Sequence, residues 1–360
     1  MGGEARAGVA LTNLDQPLFD GAGATKRDLV GYLEAVHPAV LAVLRDRPLS
    51  VIRVRPGQPP FMQKNLPPYT PDWVRRVPVW AQASRREVSY ALCDDLRTLL
   101  WFANQRAVEY HPALAPAGTP DRPTHLVLDL DPPGTGGFAP VVRAAQAVRQ
   151  ALSEAGLAGA VKTSGAKGVH VFVPLRQPAD AADVAAATRA LAVRAERLDP
   201  AGATTAYLRE ERGGKVFLDA TRAGGATVVA AYSPRVRPGV PVSFPVDWAD
   251  LDQVQPGDFT LHTAPALLAG ADRWTDLMPP PQVLDPGLVE QGHAIPVARV
   301  VAMHEGKRRA RRARGASEAS PAAASEDQTR RARGASEASP AAASEDPARA
   351  RRDVDPGPVP

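Results

Sequence analysis

Asp129 and Asp131 stand two residues apart at the end of an apolar run, Leu126-Val-Leu-Asp-Leu-Asp-Pro-Pro133. Alternate side chains of a β-strand share a face, so both carboxylates point the same way from one strand end. Like charges held that close need cations between them. Two divalent ions about 3.5–4 Å apart meet the need and suit phosphoryl or nucleotidyl transfer. Taken alone, the stretch reads equally well as an edge strand with two solvated acids before a turn. Asp219 repeats the pattern at the end of Lys215-Val-Phe-Leu-Asp219. Three acids on neighbouring strand ends suffice for two metals, with waters and substrate phosphates completing octahedral oxygen shells. A lone Asp in that position is more often a turn residue.

Lys162-Thr-Ser-Gly-Ala-Lys-Gly-Val-His170 supplies the complementary chemistry. Strand-like runs flank it, so Ser164–Gly168 is a tight connection. Its glycines let backbone amides point outward, beside the Ser164 hydroxyl and the Lys167 charge, as in an anion-binding nest. His170 opens the next strand and can donate to a phosphate oxygen from the same face. The G-x-x-x-x-G-K-[S/T] pattern is absent and a strand follows, which excludes a P-loop. The plainer reading is a Gly-rich hairpin turn. Arg235 and Arg237 follow an apolar strand in Ala231-Tyr-Ser-Pro-Arg-Val-Arg-Pro-Gly239, where a fixed guanidinium can bind a triphosphate bidentately. Phe61 and Lys64, in a Pro-bounded loop after Pro59-Pro60, suit base stacking with phosphate neutralisation. A Phe packed under the loop is the commoner outcome.

The elements that must position these residues are mixed. Thr25 reads as the N-cap of a helix over 26–45, with a stripe of Leu29, Leu33, Val36, Val40 and Leu44. Val51–Val54 reads as a strand closed by Pro56-Gly57, and 88–108 as a second long amphipathic helix. Then come strand 125–130, helix 138–155, strands 160–163 and 169–173, helix 181–197, and strand-like runs 215–219 and 226–231. That order implies an α+β fold, a sheet with helices on one face, preceded by a helical-plus-strand lobe over residues 1–115.

Composition sets the bounds. With 360 residues and 44% hydrophobic content, the chain can bury a substantial core. The single Cys93 excludes an internal disulfide and a Cys-rich zinc site, and its apolar surroundings predict a buried thiol. No run approaches the ~18 apolar residues of a membrane span, and the N-terminus has no signal-peptide h-region, so a cytoplasmic protein is expected. Net charge is +4, but residues 305–360 hold 12 Lys/Arg against 9 Asp/Glu, which leaves the body nearly balanced. The 17 residues Arg311–Asp327 recur unchanged as Arg330–Asp346. With no large apolar residue, this repeat cannot offset the entropy of ordering, and 305–360 is expected to be a disordered tail.

Taken in order, these stretches resemble the polymerase domain of bacterial ATP-dependent DNA ligase D, of the archaeo-eukaryotic primase superfamily. Matching segments include Leu11-Thr-Asn-Leu-Asp15, Thr25-Lys-Arg-Asp-Leu29, Gln63-Lys64, Pro71-Asp-Trp-Val74, Arg212-Gly-Gly214 and Tyr232-Ser-Pro-Arg235, besides the acid and Ser-Gly-x-Lys-Gly-x-His motifs. The resemblance covers about residues 10–280 and implies a primase-like fold with a central, mostly antiparallel sheet and flanking helices. The implied organisation is a primase-polymerase domain over 1–304 (lobes about 1–115 and 116–280, extension 281–304), then the tail.

The resemblance further implies a template-directed nucleotidyltransferase that adds NTPs or dNTPs to DNA primers at gaps or broken ends in nonhomologous end joining. Asp129, Asp131 and Asp219 would hold two Mn²⁺ or Mg²⁺ ions. Ser164, Lys167, His170 and Arg235 would bind the triphosphate, with His111 near the incoming nucleotide. Phe61 and Lys64 would meet the template, and Lys26 the 5′-phosphate of the downstream strand. Implied partners are Ku and a separately encoded ATP-dependent ligase, at the nucleoid, since neither a Lys-x-Asp-Gly ligase motif nor a His-rich phosphoesterase segment is present.

Several positions depart from the family pattern. Gln16 replaces a Lys, Leu66-Pro-Pro-Tyr-Thr-Pro71 lacks a Lys, Ala220 and Ala223 replace an aromatic and an Asn, and Ala226 replaces a Lys. Each removes a basic or polar contact to nucleic acid, so weaker binding of DNA ends is expected. A DNA-end binding or bridging factor with little synthesis is the alternative, and a metal-dependent phosphohydrolase a third.

Overall fold

The computed structural model describes residues 4–81, 85–134, 137–176, 179–223 and 227–297. The chain divides into two compact units, Met1–Ala302 and Met303–Pro360, and every described residue lies in the first. The repeat tail expected over 305–360 and the substituted Ala226 lie outside the described residues.

The first part of the chain runs β1 (Ala5–Arg6), β2 (Val9–Ala10), α1 (Lys26–Leu44), β3 (Pro48–Arg55), β4 (Gln58–Gln63), β5 (Arg76–Ala81), β6 (Arg86–Leu92), α2 (Leu96–Asn104) and β7 (Ala107–Pro112). Then follow β8 (His125–Asp131), α3 (Ala139–Glu154), β9 (Ala160–Thr163), β10 (Val169–Pro174), α4 (Ala181–Leu198), β11 (Ala203–Thr204), β12 (Val216–Asp219), β13 (Pro245–Val246), α5 (Ala264–Leu268), α6 (Arg273–Leu277) and α7 (Pro286–Ala294). Strands β3 to β7 form one antiparallel sheet, with β3 bonded to β4, β6 and β7. The second sheet has the order β11-β12-β8-β10-β9-β13 and is antiparallel except for the β11–β12 pair. This is the α+β arrangement, mostly antiparallel with flanking helices, that the sequence implied.

Period-2 alternation in β8 divides its labour. Leu126, Leu128 and Leu130 align with Val173, Val171 and Val169 of β10, and all six are fully buried. They make one apolar face. Val141, Val148 and Leu152 of α3 and Val184 and Leu191 of α4 belong to the same core, and the two helices pack on each other and on β8. The opposite face of β8 carries Asp129 and Asp131. Helix α1 begins as expected: Thr25 Oγ1 accepts from the Asp28 amide, and the Asp28 carboxylate accepts from the Thr25 amide at 2.7 Å, a reciprocal cap.

Three expectations need correction. The run 88–108 is strand β6, helix α2 and the start of β7. Asp95, whose side chain accepts the Thr98 amide at 2.7 Å, caps a helix that begins only at Leu96. The described part of the run 226–231, residues 227–231, is no strand: Thr227 makes one isolated bridge to Ala113, and Ala230 donates to Tyr110 O. Val228 to Ala231 are buried and meet β7 through only two backbone bonds, from Val228 to Pro112 O and from Ala230 to Tyr110 O, so their apolar character reflects burial more than a ladder. Phe61 lies in strand β4, not a loop. Its preceding prolines are tolerated because β4 is the edge strand of its sheet. Cys93 is fully buried, and burial pushes its thiol well up. No described helix is long and apolar enough to cross a membrane.

Candidate active site

Strand register sets a row of functional groups across the second sheet. Asp219 of β12 lies opposite Asp129 of β8, Asp129 opposite His170 of β10, and His170 opposite Lys162 of β9. Direct cross-strand partners share a face, so four residues separated by up to 90 positions emerge side by side. Asp131, two residues along β8, joins them at the solvent edge.

Hydrogen bonds and ion pairs tie the row together. His170 Nε2 lies 3.3 Å from Asp129 Oδ1, and His170 Nδ1 lies 2.7 Å from Lys162 Nζ. Lys162 also donates to Ser243 Oγ at 2.6 Å. Burial first, then Lys162, pushes the His170 imidazole down to about 4, so the ring is neutral at pH 7. Asp129 stays ionised: burial opposes its charge, but His170 and Arg222 together hold its carboxyl at about 2. Asp131 moves the other way, up to about 6, through desolvation and then the Asp129 charge. Three carboxylates so close are short of positive charge.

Arg222 supplies part of it. Its Nη2 lies 2.9 Å from Asp129 Oδ2 and its Nε 3.3 Å from Asp219 Oδ2. Among the described residues, no three His, Cys, Asp or Glu side chains are gathered closely enough to hold a metal ion as they stand. The donor set nevertheless fits a hard cation. Carboxylate oxygens are the ligands of Mg²⁺ and Mn²⁺, and two of the three acids already share one positive group.

The Ser164–Gly168 connection is built for close approach. Gly165 has φ +66, and a Cβ there would fall 2.6 Å from Arg235 Cγ. A Cβ on Gly168 would fall 2.0 Å from Leu130 O. Only glycine fits either place. The amides of Ala166 and Gly168 both donate to Ser164 Oγ at 3.2 Å, so the hydroxyl organises the turn from within. Lys167 is exposed and donates to Gly134 O at 3.1 Å.

Arg235 donates to Ser164 O, and its Nε lies 3.0 Å from Glu109 Oε2. His111 Nε2 lies 2.9 Å from the same oxygen. Glu109 thus gathers two expected nucleotide ligands. Burial disfavours its charge, but His111 and Arg235 outweigh that and hold the carboxyl at about 2. Beside this group opens a polar cleft of about 440 Å³ lined by Asp131, Ser164, Lys167, Arg209, Arg212 and Arg237.

The residues expected to meet DNA are elsewhere. Phe61 is half-buried on the first sheet, with the Arg55 guanidinium 4.6 Å from its ring centroid, and Lys64 is exposed just after β4. Lys26 opens α1. Its ammonium is buried, donates to Thr12 O at 2.5 Å, and is pushed down to about 8 by burial and then Arg106. Arg106 Nη1 lies 3.4 Å from Gln16 Oε1, the position that lacks the family's Lys.

Asp129, Asp131, Asp219, Ser164, Lys167, His170 and Arg235, all expected from sequence, lie in one region, and Glu109, Lys162 and Arg222 join them unexpected. Two of these had a visible signal. Glu109 stands at i−2 from His111 in an apolar strand, and Arg222 at i+3 from Asp219.

A family model for the LigD primase-polymerase domain matches residues 25–274. The chain is 34% identical over 263 residues to the multifunctional non-homologous end joining DNA repair protein LigD of Mycobacterium tuberculosis, covering 70% of this chain and 34% of that protein. It is 32% identical over 260 residues to the bifunctional LigD of Bacillus subtilis, covering 71% and 41%. It therefore spans about a third of the mycobacterial relative's length. The solved polymerase domain of Mycobacterium tuberculosis ligase D in complex with DNA superposes with a TM-score of 0.67 at 32% identity, over 73% of this chain and 95% of that one. With its acid row, cleft and topology in place, the chain belongs to the LigD primase-polymerase domain family.

Proposed function

We propose that the chain is a DNA-directed nucleotidyltransferase of the primase type, adding nucleotides to primer termini at gaps or double-strand breaks in nonhomologous end joining. One observation carries the reading: Asp131, two residues from the register-aligned Asp129 and Asp219, lines a cleft of about 440 Å³ that also holds Lys167, Arg209, Arg212 and Arg237. Membership in the LigD family and the DNA-bound relative support it.

Asp129, Asp131 and Asp219 would hold two divalent ions, Mn²⁺ or Mg²⁺. Such ions supply a lowered pKa for an attacking hydroxyl and neutralise phosphate charge. The chain's own groups do the rest. Lys167, with Arg209, Arg212 and Arg237 on the cleft wall, attracts the polyphosphate. Arg235, fixed between Glu109 and Ser164 O, presents a guanidinium that cannot drift. Lys162, donating to Ser243, holds the neutral His170 in one orientation. Glu109 holds His111, which would lie beside the incoming nucleotide. Phe61 and Lys64 would face the template and Lys26 a 5′-phosphate. We place the polymerase domain at 1–304 and the repeat tail after it, and expect a cytoplasmic, nucleoid-associated protein working with Ku and an ATP-dependent ligase.

Primer extension on gapped DNA with Mn²⁺ and NTPs or dNTPs, native against Asp129→Ala, tests the proposal. Extension abolished by the substitution supports it. DNA binding without extension by either protein would identify an end-bridging factor instead, and release of phosphate without extension a hydrolase.

A further inference from the structure

Arg222 rises from the short 3-10 turn Thr221–Ala223, directly after β12, so the strand that ends in Asp219 also delivers this guanidinium. Asp219 Oδ1 is taken by the Thr221 amide at 2.8 Å and hydroxyl at 2.6 Å. Asp129 Oδ1 faces His170. Each carboxylate therefore has one oxygen committed to its own strand or neighbour, and the other, Oδ2, turned to Arg222. Those two Oδ2 atoms are the ones a divalent ion between Asp129 and Asp219 requires.

We propose that Arg222 is a resident counter-cation of the acid row that must leave Asp129 and Asp219 before a divalent ion binds there. Metal loading and Arg222 release are then one linked equilibrium, and the arginine sets the metal concentration at which the site fills. The inference rests on the metal-binding reading above.

Three observations favour it. The described acids do not close on a common point while Arg222 stands between two of them. Its side chain is 35% exposed, so the guanidinium has water on one side to move into without crossing the core. A single positive charge cannot neutralise three carboxylates, so a divalent ion displaces it once abundant enough. The apparent affinity for the ion is then its intrinsic affinity scaled by the fraction of molecules with Arg222 released.

Mn²⁺ binding to the full chain without nucleotide, read from the loss of the free-ion electron paramagnetic resonance signal, tests this. Arg222→Gln should bind Mn²⁺ roughly tenfold tighter than native, the scale of one charge-assisted hydrogen-bonded pair. Arg222→Lys, which keeps the charge but loses the two-pronged fork, should fall between. In thermal unfolding, Arg222→Gln should be less stable than native without Mn²⁺ and gain more from saturating Mn²⁺. Equal or weaker Mn²⁺ binding in the substituted proteins overturns the inference, and if Arg222→Gln does not fold, Arg222→Lys decides. Asp129→Asn separates the two layers. If it leaves Mn²⁺ binding intact, the metal-site reading falls. If it abolishes binding while native and Arg222→Gln bind alike, only the role of Arg222 falls.

Discussion

Glu109 Oε2 lies 3.0 Å from the Nε of Arg235, joining β7 of the first sheet to the loop beyond β12 of the second. The same oxygen meets His111 Nε2 at 2.9 Å, and the other accepts the Val236 amide at 2.9 Å. Glu109 is only 4% exposed. A buried, fully engaged carboxylate of this kind fixes its partners in place, and removing its charge leaves them uncompensated.

Glu109→Gln keeps the shape but removes the charge, leaving Arg235 with an uncompensated buried contact. The expected cost is about 3 kcal/mol of unfolding free energy. Nucleotide affinity should fall roughly tenfold to a hundredfold, because His111 and Arg235 lose their orientation together. Urea unfolding and a nucleotide titration on the folded variant check both. Native-like nucleotide affinity would show that Glu109 only holds the sheets together.

What the sequence revealed and concealed follows from distance along the chain. The acid pair of β8 was legible because period-2 alternation and a terminal Pro-Pro are local signals. The Ser164–Gly168 turn was legible for the same reason. The alignment of Asp219, Asp129 and His170 depends on the register of three strands, which no local pattern encodes. Glu109 acquires its role only when Arg235 arrives from 126 positions away. The apolar run after residue 88 fits either period, and the strand-to-helix break falls at Asp94-Asp95, where Asp95 caps α2. Val228–Ala231 looks like a strand because burial selects the same apolar residues that a ladder does.

That break gives a second prediction. Asp95 accepts the Thr98 amide, one of the unpaired donors at the start of α2. Asp95→Ala should cost about 1 kcal/mol and lower Tm by roughly 2–4 °C for a domain of this size, with primer extension at 25 °C unchanged. Differential scanning calorimetry reads the shift. No change in Tm would mean the helix start is held by tertiary packing alone.

His125 predicts how stability follows pH. Its Nδ1 lies 2.8 Å from Thr124 Oγ1, which also accepts from Arg47 at 2.7 Å. Burial, then Arg47, pushes the imidazole down to about 3 from an unfolded value near 6.5. The unfolded chain therefore binds more protons across that window, and unfolding free energy rises with pH there. The stabilisation is complete above about pH 6.5 and is lost as pH falls towards 3. Allowing for its partial exposure, the loss from pH 6.5 to 4 is about 1–2 kcal/mol. Asp131, raised to about 6, has the opposite slope between about 4 and 6. The comparison must therefore be native against His125→Gln, both of which keep Asp131. Urea midpoints across pH 4–7 should give a shallower profile for the variant, and parallel profiles would show that His125 titrates normally.

Recognition of a 5′-phosphate would fall to Lys26, which the fold already engages. Lys26 is 2% exposed, and its ammonium is already committed to Thr12 O. Arg106 stands where it touches both Gln16 and the backbone of Pro17 and Leu18, and its charge disfavours a second cation at Lys26. A phosphate arriving here would have to draw Lys26 off a backbone acceptor, which subtracts from the interaction gained. The phosphate-dependent gain in affinity for gapped DNA should therefore be modest, about threefold to tenfold. It should vanish in Lys26→Ala and shrink in Arg106→Ala. Fluorescence anisotropy with matched 5′-phosphate and 5′-hydroxyl duplexes at one fixed salt concentration measures it, since nonspecific phosphate contacts vary steeply with salt. A gain of a hundredfold or more would mean that the loss of a Lys at Gln16 has been made good. A gain that survives Lys26→Ala would place the phosphate elsewhere on the protein.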